Sequence, residues 1–212
     1  KFGTPVNAVA ATVSLEVSGV VVHGESVTVD HPLYVGDDVY EFVGDAALSV
    51  SDASNIPVDI SGGLTQSAVN LTVGVQPLSG DTFTLGTKVF TFVPSGTSNA
   101  DGEISVGADL AAAKINIVAA INGTDAVNAP HTLVSAANFV ADVCEVSALI
   151  GGTVGDTIAS TETFDNVGNV FSAATLGSGA DCSAADAITA LAAAMVASDT
   201  QMVTGVDGAG DT

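Results

Sequence analysis

Gly80-Asp81-Thr82-Phe83-Thr84-Leu85-Gly86-Thr87-Lys88-Val89-Phe90-Thr91-Phe92-Val93 decides how this chain is read. Apolar residues alternate on both sides of Gly86, the pattern of two half-buried strands joined by a tight turn. Strand side chains point to opposite faces with period two, so Phe90 and Phe92 share one face. A second version stands earlier in the chain. Gly24-Glu25-Ser26-Val27-Thr28-Val29 matches Gly80 to Leu85 at an offset of 56, and Leu15-Glu16-Val17 stands before it as Leu71-Thr72-Val73 stands before the other. Gly36-Asp37-Asp38-Val39-Tyr40-Glu41-Phe42-Val43 matches Gly86 to Val93 at an offset of 50, the earlier copy carrying Asp30 to Val35 as an insertion. Tyr40 and Phe42 then take the places of Phe90 and Phe92. These four aromatics are the expected core.

Working outward, Glu103 to Val106 reads as a short strand. A helix follows over Leu110 to Ile121, with Asp109 as N-cap and Asn122-Gly123 as the stop signal. Leu110, Ile117, Val118 and Ile121 form its apolar stripe. The earlier copy has the short strand, Pro57 to Ile60, but Ser61-Gly62-Gly63 comes next instead of a helix. A matching Ala-rich helix, Ala184 to Met195, stands much later, with Ser183 or Asp181 to cap it. A nested arrangement gives both copies one element order: an outer module of 1–62 plus 181–212 encloses an inserted module of 65–178. Insertion at a Gly-rich turn costs little. The expected fold is mainly β with one helix per module (α+β), two related modules of β-sandwich-like sheets, each packed by a short Ala-rich helix. Further strands are expected at Leu133 to Ala136, at Val140 to Leu149, within Thr153 to Thr163 and at Gln201 to Val206. On this reading the outer module lacks its closing strands within residues 1–212, so the natural chain is expected to be longer, and an open edge invites association.

Composition narrows the function. Three lysines (Lys1, Lys88, Lys114), no arginine and 24 acidic residues give a formal charge of −21. Nucleic-acid binding needs Lys and Arg to neutralise phosphates, so neither nucleic acid nor an anionic membrane is an expected partner. The acidity favours solubility at high concentration; a halophilic or marine source would produce the same bias. The longest apolar run of note, Ile188 to Val196, is too short to span a bilayer. Cys144 and Cys182 make no disulfide framework and are read as buried free thiols, with one clip between them as the alternative.

No catalytic, cofactor-binding or metal-binding residues stand out, and no cofactor is expected. His23, His31 and His131 have no metal-ligand spacing, and there is no CxxC. No GxSxG elbow anchors a nucleophile. Leu176-Gly177-Ser178-Gly179-Ala180 lacks the P-loop lysine and reads as a linker. Asp37-Asp38 and Asp207/Asp211 read as exposed turn carboxylates rather than a Ca²⁺ loop.

The Gly80 to Val93 stretch resembles a β-rich domain that recurs in structural proteins of tailed-phage virions. So do Ala119-Ala120-Ile121-Asn122-Gly123 and Gly152-Thr153-Val154-Gly155-Asp156-Thr157-Ile158-Ala159-Ser160-Thr161-Glu162-Thr163. The resemblance covers most of 65–178 and, more loosely, the earlier hairpins. It implies a non-enzymatic virion component, a capsid decoration (cement) or tail accessory protein on the particle surface. Its partners would be a major capsid or tail protein and copies of itself. A tail-fibre or surface adhesin module that binds a receptor or glycan is the alternative. An adhesin calls for an exposed aromatic platform, whereas most aromatics here fall on core positions.

Overall fold

Gly24 and Gly80 sit where the chain must turn. The computed structural model of the protein describes residues 16–17, 19–29, 37–45 and 48–206, with side chains to 198. Gly80 has φ +100° and Gly24 φ +89°. Each is the third residue of a turn closed by one backbone bond, Asp81 N–H to Leu78 C=O at 3.1 Å and Glu25 N–H to Val22 C=O at 3.3 Å. Positive φ at that position is the mark of a type II turn and selects glycine. The acidic residue after it closes the turn a second time. Asp81 accepts the Leu78 N–H at 2.8 Å, and Glu25 accepts the Val22 N–H at 3.1 Å. Gly80 then donates to Phe92 C=O, and Phe92 N–H returns to Asp81 C=O; Gly24, Phe42 and Glu25 repeat this, all at 2.8–2.9 Å. Two residues thus face one, in a glycine-led β-bulge.

Among the described residues the elements run β1 (Ser26–Val29), β2 (Asp38–Val43), β3 (Ile56–Asp59), β4 (Ala68–Val73), β5 (Thr82–Leu85), β6 (Lys88–Val93), β7 (Glu103–Ser105), α1 (Leu110–Asn122), β8 (Val134–Ala136), β9 (Val143–Ala148), β10 (Ser160–Glu162), β11 (Asn169–Phe171) and α2 (Ala184–Val206). They form three open sheets, ordered β1-β2-β3, β10-β5-β6-β7 and β11-β4-β9-β8. The described part of the protein is therefore mostly β with two α-helices. Ser26 faces Glu41 as Thr82 faces Thr91 in the antiparallel hairpins. A third strand then joins in parallel, Val58 beside Phe42 and Ile104 beside Phe92. Ile60 N–H to Val43 C=O and Val106 N–H to Val93 C=O close the two parallel pairs at the same 3.0 Å.

Most of the buried apolar residues described fall into two clusters. One draws on both four-stranded sheets and α1. Phe83, at its centre, stacks on Phe90 with centroids 4.9 Å apart and meets Phe92, Phe164 and Phe171 at 6.1–6.4 Å. Such pairs prefer offset or edge geometry and add to burial. The second cluster joins Val21, Tyr40, Phe42, Val58 and Ile60 to Cys182, Ala187 and Leu191. In it α2 packs on β3 and β2. The chain runs from the second cluster to the first and back, and the two passages pair antiparallel. Thr65 and Ala180 exchange both backbone bonds, as do Ala68 and Gly177, at 2.9–3.1 Å.

α1 begins and ends as its sequence directs. Asp109 accepts the Ala112 N–H, and Gly123 closes the helix at φ +66°. Ala113, Ile117, Ala120 and Ile121 are its buried residues, with Leu110 and Val118 packed at the margin. Ser183 caps α2 by accepting the Asp186 N–H and donating to the Asp186 carboxylate.

Several expectations are corrected. Gln201 to Val206 is the end of α2, not a strand. No proline interrupts the Ala-rich run, and each added residue of a started helix gains a hydrogen bond. β9 begins at Val143, because Val140 and Val143 exchange backbone bonds at 2.8 and 3.1 Å around Ala141, φ +54°. Glu16 and Val17 form no strand. The reading of Cys144 and Cys182 as buried free thiols needs no correction: both are free, one in each cluster, and the alternative clip is not formed. Leu15, Asp30 to Gly36, His31, Asp207 and Asp211 lie outside the described residues.

Candidate interaction surfaces

Several titratable side chains among the described residues hold loops. Glu41, 2% exposed on β2, accepts from the Ser51 N–H and hydroxyl and from the Asn55 amide at 2.6–2.9 Å. Asn55 above all, with Ser51, holds its carboxyl below the usual carboxylate range against the cost of burial. The loop between β2 and β3 is thereby tied to the middle of the sheet. His23 Nδ1 accepts the Gly44 N–H at 3.0 Å beside it.

His131 does the same for the other cluster. Its Nδ1 accepts the Leu133 and Val134 N–H groups at 3.1 and 3.2 Å, and Nε2 lies 3.0 Å from Leu85 C=O. Two incoming donors at Nδ1 leave the proton on Nε2, which donates to Leu85. Burial pushes its pKa down, and the Lys88 charge adds to the effect. Burial pushes the Cys144 thiol up to about 11, with Glu145 adding to it, and raises Cys182 in the same direction. Neither thiol is poised as a nucleophile.

The antiparallel passage is held by more than backbone bonds. Asp156 accepts from the Ser67 hydroxyl and the Gly179 N–H, and Asp181 accepts from the Thr153 N–H and hydroxyl, at 2.7–2.9 Å. Asp181 is thus spent on Thr153 rather than on capping α2. Leu64 lies in a slot between glycines: a Cβ at Gly151 would stand 2.6 Å from the Leu64 Cβ. Gly179 likewise has room for no side chain, with Gly152 C=O 2.4 Å from where its Cβ would be. The segment Leu176 to Ala180 is thus backbone-paired through Gly177 and Ala180, with Leu176 buried and Gly179 closely approached.

Both described lysines are neutralised within the chain. Lys88 pairs with Asp101 and Lys114 with Asp142, each at 2.7 Å, and each ammonium lies over a ring, Phe90 and Phe139. Among the described residues, two shallow apolar grooves stand out on the surface. One, of about 570 Å³, lies beside α1 between Ile115 and Phe139; the other, of about 230 Å³, is lined by Leu133, Leu149 and Val154 and has no charged residue. Among the described residues no three His, Cys, Asp or Glu side chains gather as a metal site, and no helix is long and apolar enough to cross a membrane. In sequence, Glu41 and Asp156 show no sign of these roles, His131 is read only for metal-ligand spacing and Asp181 as a possible helix cap, because the partners they hold lie elsewhere in the chain. Comparison with protein-family models, with curated proteins and with solved structures finds no match.

Proposed function

We propose that this chain is a non-enzymatic structural protein of a tailed-phage particle, most suited to a capsid decoration role. In this reading it is built of two related modules, 65–178 inserted into 1–62 plus 181–212. The observation that carries the modular part is the repeated turn, bulge, hairpin and parallel strand, matched bond for bond at Gly24 and Gly80. A short, cross-braced joint suits a protein whose work is to hold a shape. The virion assignment is supported by the resemblance of residues 80–93, 119–123 and 152–163 to virion domains. The −21 charge suits a basic or neutral partner surface rather than nucleic acid. None of the large hydrophobic residues exposed among the described ones is aromatic, which favours decoration over a glycan-binding adhesin.

Copy number and position in purified particles test this reading. Quantitative mass spectrometry against the major capsid protein, with cryo-electron microscopy, is expected to place many symmetric copies on the head. Density at the tail tip together with glycan-array binding would select the adhesin. Absence from particles would refute both.

A further inference from the structure

The two hairpins differ in one respect. The outer edge of β5 is covered: β10 lies antiparallel along it, Ser160 opposite Leu85, Thr161 opposite Thr84 and Glu162 opposite Phe83. Thr163 N–H to Thr82 C=O and Gly86 N–H to Ala159 C=O flank the pair at 2.9 and 2.8 Å. β1 keeps the same register to β2 that β5 keeps to β6, yet among the described residues no strand covers its outer edge. Burial records the difference. Phe83 and Leu85 are 0% exposed, whereas Val27 and Val29, at the same places, are only half-buried. Backbone groups alternate sides along a strand, so Ser26 and Thr28 present theirs to the open edge as Thr82 presents its C=O to β10.

Other edges carry protective devices. β3, on the far side of the same sheet, carries Pro57, which has no N–H to offer. On β7, Ser98 and Asn128 donate to Glu103 C=O, and Asn116 donates to Ser105 C=O. β1, Ser-Val-Thr-Val, has no proline and no charge.

We propose that the outer edge of β1 is a strand-acceptor site, filled by an extended segment of another protein chain in the register that β10 takes on β5. Main-chain bonds would give affinity and alternate side chains specificity. β10 supplies the chemistry of the occupant: Ser160 is buried, Thr161 exposed and Glu162 half-buried. The donor therefore carries a small or β-branched uncharged residue opposite Val29 and a polar one opposite Thr28. It has no proline opposite Thr28. The inference rests on the equivalence of β1–β3 with β5–β7 and is independent of the phage assignment.

Amide hydrogen exchange by NMR on the whole chain tests it, with a synthetic peptide of residues 158–164 as probe and its Thr161→Pro version as control. Alone, Thr28 should exchange ~10-fold or more faster than Thr84, because an uncovered edge opens at little cost. The peptide should slow Thr28 by ~10-fold, as an edge gains a partner strand, and should shift only Ser26 to Val29 and their neighbours. The proline version should do neither. The proposal is overturned if Thr28 is as slow as Thr84 without peptide, if saturating peptide leaves it fast, or if the peptide binds elsewhere. Gly24 and Gly80 separate the causes. Unequal protection of these two amides means that the equivalence itself has failed; equal protection confines the failure to the acceptor edge.

Discussion

Replacing Gly24 or Gly80 by alanine probes the repeated turn without disturbing its packing. No atom lies within 4 Å of the place a Cβ would take at either position. The cost is therefore conformational. At φ +89° and +100° an L-residue is strained, by roughly 1–2 kcal/mol in the left-handed region. Alanine also stiffens the unfolded chain, which returns about 0.4–1 kcal/mol. Each variant should thus lose about 1 kcal/mol, or about 2–4 °C in melting temperature for a chain of this size. Asparagine, which tolerates positive φ, should lose less. Gly123→Ala is the contrast: its Cβ would stand 2.3 Å from the Pro130 nitrogen, and φ is +66°. That variant should lose more than either. Urea unfolding followed by circular dichroism and by tyrosine fluorescence measures all three. The chain has two tyrosines and no tryptophan, and Tyr40 is buried in the α2 cluster. If either turn variant is neutral, or if alanine and asparagine cost the same, the type II geometry is wrong at that turn.

Phe83→Ala removes the ring at the centre of the larger cluster and should lose about 3–5 kcal/mol by urea titration; a loss under about 1 kcal/mol would mean the aromatic packing is not as described. Acid should weaken the fold through His131. Its unfolded pKa is about 6.5 and its folded value is lower, so the unfolded state binds more protons below pH ~6.5. The stability it contributes is complete above that pH and is lost as pH falls towards the folded value. His131→Gln should flatten this slope in urea midpoints measured from pH 7.5 to 5. Cys144 and Cys182 should resist iodoacetamide at pH 8 in the native chain and react after denaturation, read by intact mass. Native labelling of Cys144 would contradict its burial and its raised pKa.

Local structure was legible in the residue pattern. Alternation placed Phe90, Phe92, Tyr40 and Phe42 inside, because a strand with one wet face has no other register. Gly-acid pairs marked the turns, since glycine alone takes that φ without strain. Asp109 and Gly123 bounded α1, because helix ends need partners for their free backbone groups. Local signals failed where a competing local rule won: the Ala-rich run carried α2 through Gln201 to Val206, and Ala141-Asp142 reversed the chain inside an apolar stretch. What the polar groups do depends on the folded arrangement. Glu41 bonding Ser51 and Asn55, His131 bonding Leu85, and Asp156 and Asp181 bracing the paired passage all join residues brought together by folding. The same is true of edges. Nothing in Ser26-Val27-Thr28-Val29 says whether a strand lies beside it, because backbone groups are alike in every residue. That β5 is covered and β1 is not, among the described residues, is a fact of how the sheets assemble.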